Sequence, residues 1–298
     1  MNSPALSPHL DELRKRILPE GGFSGRPGGN YRPDATAWAI LAMTAANVEP
    51  GLLSSARRRL AKSQLEDGRV PIAPGFPEVI WPTPIAILAW HGDQEHDVQK
   101  SKAIDFMIRN SGVHWQKKPD SPVSHDTAIR GWPWVLGTHS WIEPTALTIV
   151  ALRVSGYGEH DRTREAMRML LDRQLPGGGW NYGNTRVFGK ELEPMPEDTG
   201  VALAALGGVM PKEPVNASLT YLSNNLGNLL TPLALGYGVL GLSAYGARPA
   251  QAEASILRCL ARQTQFGSYD STMISLLLFA FVAKDGIIRF LDAGGRRM

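Results

Sequence analysis

Apolar runs alternate with basic, amphipathic stretches along almost the whole chain. Six apolar segments, roughly 34–47, 82–91, 143–156, 197–209, 229–245 and 270–283, carry few charges, as expected of helices buried on most sides. Between them lie polar helical segments, roughly 6–18, 50–65, 96–110, 160–174, 213–226 and 249–263. Their mixed surfaces, such as Arg57-Arg58-Arg59-Leu60-Ala61-Lys62, suit an outer layer. Each apolar segment begins near a threonine: Thr36, Thr83, Thr145, Thr199, Thr231 and Thr272. Two residues earlier stand Asp34, Trp81, Glu143, Glu197, Leu229 and Asp270, and an acid or proline ahead of such a run marks a helix N-terminus.

The turns between polar and apolar helices repeat as well. Gln174, Gly178 and Trp180 form a Gln-x3-Gly-x-Trp unit. Gln263, Gly267 and Tyr269 copy it with Tyr, Gln64, Gly68 and Val70 with an aliphatic residue, and Gly21 and Phe23 keep its second half. A glutamine can bind backbone groups freed at a helix end, glycine allows the turn, and the ring packs between units. A repeated helical hairpin is a stacking architecture. The chain starts on a polar helix and ends on an apolar one, so the first outer helix can pack beside the last inner one and close the ring. The expected fold is all-α, an (α/α)6 toroid of six inner and six outer helices forming one domain over 1–298, with a central cavity. In it, residues 6–18 pack against 270–283.

Composition changes this picture little. Net charge is +3, with basic residues on the outer helices and at Arg296-Arg297, which reads as a solvated face and gives no reason to expect nucleic acid as a partner. A single cysteine, Cys259, excludes an internal disulfide and fits a reducing, cytoplasmic setting. No charged-then-apolar leader precedes the first helix. Leu229–Tyr245 is apolar over nearly a spanning length, but Pro232 and its glycines, and its place in the repeat, make it an inner helix.

Two insertions break the repeat. Val113–Ile142 holds His114, Trp115, His125, Asp126, Trp132, Trp134, His139 and Trp141, and Asn181–Pro196 holds Tyr182, Arg186 and Phe188. Both precede inner helices and so lie at the end where the acids sit. Rings and titratable groups on loops at one mouth suggest a site, although they would also serve as a plug.

The Gln-x3-Gly-x-Trp turns, together with Asp/Glu-x-Thr helices such as Ser140-Trp141-Ile142-Glu143-Pro144-Thr145-Ala146, resemble the prenyltransferase/squalene-cyclase repeat superfamily, from about Gly21 to Ala283. Gly131-Trp132-Pro133-Trp134 is similar to small bacterial single-toroid, terpenoid cyclase-like members. The resemblance implies the toroid and an isoprenoid or lipid in its cavity. Class II cyclases of this group carry Asp-x-Asp-Asp-Thr, where the middle Asp protonates an alkene or epoxide. Met195-Pro196-Glu197-Asp198-Thr199 approaches that motif, with Met195 for the first acid, and Arg32-Pro33-Asp34-Ala35-Thr36 resembles its single-acid form. Glu197 falls at the middle-acid position, so the implied catalytic candidates are Glu197 or Asp34 as the acid, with Asp198 and His139 tuning it. Trp81, Trp132, Trp134, His139, Trp141, Glu143, Tyr182 and Asp270 are the substrate-binding candidates. The same acids also suit helix N-termini on dipole grounds alone, where each is worth ~1 kcal/mol or less.

The zinc set of protein prenyltransferases and the two-cysteine set of lanthionine cyclases are not matched, and no phosphate-binding glycine loop or Asp-rich diphosphate motif is present. The expectation is therefore no cofactor and no metal. Two further readings stay open: a lipid-binding or scaffold protein of the same fold, with peripheral membrane contact or a partner enzyme, and a carbohydrate-active (α/α)6 enzyme using two facing carboxylates.

Overall fold

The computed structural model describes residues 4–48 and 50–295, so Arg296 and Arg297 lie outside the described residues. The chain runs through α1 (Ser7–Arg14), α2 (Pro33–Ala45), α3 (Pro50–Ala61), α4 (Pro82–Ala89), α5 (Asp97–Arg109), α6 (Ile142–Val154) and α7 (Asp161–Asp172). A two-stranded hairpin, β1 (Arg186–Val187) with β2 (Lys190–Glu191), interrupts the helices. Then come α8 (Pro196–Leu206), α9 (Asn216–Asn225), α10 (Pro232–Ala244), α11 (Ala252–Ala261), a one-turn α12 (Gln263–Phe266), α13 (Ser271–Val282) and α14 (Ile287–Gly295). Helices α2, α4, α6, α8, α10 and α13 pack each on the next, and α13 packs on α2, which closes the ring. The fold is an (α/α)6 toroid.

Proline starts α2, α4, α8 and α10, where its missing N–H costs nothing. The threonines then join turn to helix. The main-chain N–H groups of Phe23, Val70, Trp132 and Trp180 donate to the hydroxyls of Thr36, Thr83, Thr145 and Thr199, at 2.9–3.0 Å. The spacing is 13 residues in the first three pairs and 19 in the last, where the hairpin is inserted. Trp132 is thus the repeat's own aromatic residue. Its indole N–H donates to the Met107 carbonyl at 2.8 Å, as that of Trp180 donates to Leu170 at 2.7 Å.

The glutamines reach across to the next outer helix. Gln64 donates to the Gln99 carbonyl on α5 at 2.8 Å, as well as to Gly68 O. Gln174 donates to the Ser218 hydroxyl on α9 at 2.7 Å, a side-chain acceptor where a backbone one was expected. Gln263 donates to Glu12 of α1 and accepts from the Tyr269 N–H at 2.8 Å. Buried Arg16 completes this seam, donating to Gly25 O, Tyr269 O and the hydroxyls of Ser268 and Ser271. So α1 packs on α13 as the alternation predicts.

Below the mouth, inner-ring side chains fill the barrel; most of α2 is fully buried, including Trp38, Ile40 and Met43. Helices α8 and α10 approach closely because Gly200 faces the Tyr237 backbone and Gly241 faces Gly200. The expected central cavity is therefore reduced to space near the rim. Helix α14, which the alternation does not announce, packs on α6, α8 and α10. Arginines bind the inner-helix C-termini: Arg57 donates to Ala89 O, Arg153 to Ala205 O and Gly207 O, and Arg248 to Ala280 O and Phe281 O. No helix among the described residues is long and apolar enough to cross a membrane.

The turn glycines predict an order of damage. Gly68 and Gly267 both hold positive φ, at 100° and 91°. A Cβ on Gly68 would also run into the Lys102 carbonyl, whereas none would meet anything at Gly267. Urea unfolding should show Gly267→Ala losing the strain energy alone, about 1–3 kcal/mol, and Gly68→Ala losing more.

Candidate active site

The inner helices run in parallel, so their N-termini share one rim and their dipoles favour anions there. Five acids occupy the first turns or caps: Asp34 on α2, Glu143 on α6, Glu197 and Asp198 on α8, and Asp270 ahead of α13. The structure divides them into two groups.

Asp34 and Asp270 gather around Arg32. The guanidinium holds Asp34 through two charge-assisted bonds, one of 2.7 Å from Nε, and lies 3.6 Å from Asp270. Asp270 also caps α13, accepting from the Thr272 N–H and hydroxyl. Both acids are spoken for by structure.

Glu143, Glu197 and Asp198 instead line a cavity of about 200 Å³, with Trp134, Tyr182, Met195, Val201, Leu233 and Tyr237. Glu143 accepts from the Trp134 indole at 3.0 Å and the Tyr237 hydroxyl at 3.3 Å. Burial pushes the Glu143 carboxyl up, against these two bonds, and the Tyr237 hydroxyl is raised by burial and by Glu143. Asp198 is 6% exposed. Burial first, then the charges of Glu143 and Glu197, push its carboxyl up to about 8. At neutral pH Asp198 is therefore mainly a carboxylic acid. Tyr182, 40% exposed, stands where the cavity meets solvent.

The other candidates lie elsewhere. Trp132 is buried in the core under the Arg162 guanidinium, 4.7 Å from its ring. Trp81 precedes α4, half-buried against the core. His139 and Trp141 line a second cavity, on the far side of a wall of rings: Trp141 stacks on Trp134 with centroids 5.6 Å apart and meets Tyr182 edge-on at 5.8 Å. Tyr237 was missed. Its signal was a single polar-tipped ring in the otherwise aliphatic segment Leu233–Leu242, where a buried Tyr hydroxyl needs a partner.

No protein-family model and no curated protein matches the sequence. Solved structures do. A protein from Actinoplanes superposes with a TM-score of 0.62 at 16% identity, over 95% of this chain and 99% of the other. The alpha-1,6-mannanase of Salegentibacter gives 0.60 at 12% identity, over 94% and 98%. A type II terpene cyclase from Scytonema gives 0.56 at 13% identity, over 94% and 98%. These likenesses share the (α/α)6 toroid and, at such identity, speak for the fold alone.

The raised Asp198 carboxyl makes stability depend on pH. The folded chain keeps this proton to about pH 8, whereas an aspartate in the unfolded chain releases it near ~4. The fold binds the extra proton between those values, so stability falls as pH rises through that window. Urea titrations at about pH 5 and about pH 9 should show a larger loss in the native chain than in Asp198→Asn, the difference being this carboxyl's share beside those of Glu143 and His125.

Proposed function

We propose that the protein is an acid-catalysed cyclase acting on an isoprenoid whose reacting end carries an epoxide. The observation supporting this is Asp198, a protonated carboxyl in an aromatic-lined cavity, with no hydrogen-bond donor among the described residues holding its conjugate base. Such an acid is available at neutral pH but weak. Protonating a bare alkene needs a strong acid with a well-stabilised anion; an epoxide oxygen needs much less, and a pKa near the working pH suits it. Asp198 would give its proton to that oxygen as the C–O bond opens and the neighbouring alkene closes the ring. The π-faces of Trp134, Tyr182 and Tyr237 would face the developing cation. The final cation loses a proton to form an alkene, and Glu197, beside Asp198, would relay a proton back to it, so the reaction is a net isomerisation. The cavity is smaller than most ligand sites, roughly 300–1,000 Å³. It would hold only the reacting end, with the rest of the chain leaving past Tyr182. A cytoplasmic enzyme drawing such a substrate from a membrane surface fits this reading. Asp34, bound to Arg32, would be structural.

A second reading rests on the consecutive acids Glu197 and Asp198. The Salegentibacter mannanase is described as inactive when two consecutive aspartates are replaced by asparagine. The same Asp198 acid could protonate a glycosidic oxygen, with Glu143 or Glu197 as the second carboxylate.

The purified protein, incubated with farnesyl acetate bearing a terminal epoxide, should yield cyclised alcohols by gas chromatography–mass spectrometry. Asp198→Asn should lower turnover by about 10²–10⁴-fold with the fold retained, while Asp34→Asn should act on stability before turnover. Cleavage of alpha-1,6-mannotriose without epoxide turnover would replace this reading by the second. Turnover of neither would leave a lipid-binding or scaffold role.

A further inference from the structure

The two insertions enclose a cavity of about 330 Å³, within the range of small-molecule sites. They are joined across it: Ser124 N–H donates to Arg186 O at 3.3 Å and Phe188 N–H to Pro122 O at 2.9 Å. Its lining is apolar along Val113, Pro122, Val123 and Val187, and aromatic at Trp115 and Trp141. Trp115 is 41% exposed, and its ring meets His139 with centroids 4.8 Å apart.

Arg173 closes the cavity on the side of α7. Its side chain is 6% exposed. Nη1 donates to Ser140 O at 2.6 Å, Nε is buried without a partner, and no carboxylate among the described residues lies within ion-pair distance. Burial lowers its pKa only to about 10, so it stays charged at neutral pH. His125, equally buried, also faces the cavity with Nδ1 unpartnered. Asp172 acts on Arg173 through space, but neither nearby acid forms an ion pair with it among the described residues. Asp172 accepts from the Asp126 N–H, Asp126 accepts from the Ala128 N–H, and neither lines the cavity. Burying an unpaired cation is costly unless something else meets it.

We propose that this second cavity binds a small carboxylate with an aromatic or aliphatic body: the carboxylate on Arg173, with His125 beside it, and the body between Trp115, Trp141 and the valines. One guanidinium beside a neutral imidazole matches a single negative charge, and the apolar walls exclude a bare ion. The site shares the ring wall of Trp134, Trp141 and Tyr182 with the Asp198 cavity and does not depend on the reaction assigned to it.

The test is titration of the purified chain with 3-phenylpropionate, its primary amide and inorganic phosphate, followed by tryptophan fluorescence and calorimetry. The acid should bind with a Kd of about 1 mM or tighter, and the amide and phosphate at least about tenfold more weakly. Arg173→Met should weaken the acid by about tenfold or more. Since Arg173 is buried, Val123→Trp, which fills the cavity without touching the cation, is the second variant and should also abolish binding. No saturable binding of the acid, equal binding of the amide or of phosphate, or binding unchanged in Val123→Trp would each overturn the proposal.

Discussion

The toroid depends on one contact made at successive turns. At three of these turns a glycine lies against the following outer helix, Gly21 beside Ser55, Gly68 beside Lys102 and Gly178 beside Ala217. A side chain there would push the two helices apart. Glutamine spans the same junction, from Gln64 to α5 and from Gln174 to α9, and Gln263 carries it from the end of the chain back to Glu12. The threonine bonds then fix α2, α4, α6 and α8 to the turns before them. Given these links the inner helices must run one way, and closure follows from geometry rather than from any single strong interaction.

Parallel inner helices give the molecule two electrically different rims. Positive dipole ends meet at the mouth and negative ends at the base. The sequence answers both, with acids in the first turns and with Arg57, Arg153 and Arg248 on the C-terminal carbonyls. A rim acid is thus stabilised by the fold whatever else it does. That is why five acids at the mouth say little about chemistry until their partners are known. Arg32 takes two of them. Nothing cationic among the described residues takes Asp198, and burial together with the neighbouring acids keeps it protonated.

The ring was legible because its signals are local and periodic. Spacing alone located the six inner helices to within a few residues. The Trp132 turn was hidden because the long insertion before it removes the glutamine and the glycine spacing, leaving only the ring and its 13-residue step to Thr145. Helix α14 follows the last repeat and has no counterpart to announce it. The division of the acids was not legible either. Asp34 and Asp198 look alike in sequence, each just before an inner-helix threonine run, and differ only in what folds against them. Tyr237 reaches Glu143 from a helix 94 positions away, a distance that no local pattern encodes. His139 and Trp141 were read as part of the same mouth, but the loop turns them to the other side of the ring wall.

That wall gives the two insertions a physical meaning. A toroid whose interior is filled by Trp38, Tyr237 and the aliphatic inner faces has little room for a ligand of its own. The two cavities lie where inserted loops meet the rim, because such loops need not obey the close glycine contacts that set the helix spacing. Trp134, Trp141 and Tyr182 come from both insertions and stack where these meet, with a carboxylic acid on one side and an unpaired guanidinium on the other. The inner ring supplies rigidity and a field that favours acids at the mouth. The insertions supply Trp134, Trp141 and Tyr182, which wall the cavities, while Arg32 outside them takes Asp34 and Asp270. The repeat thus sets the architecture and carries the rim acids on α6 and α8, and the insertions add the rings that wall the two cavities.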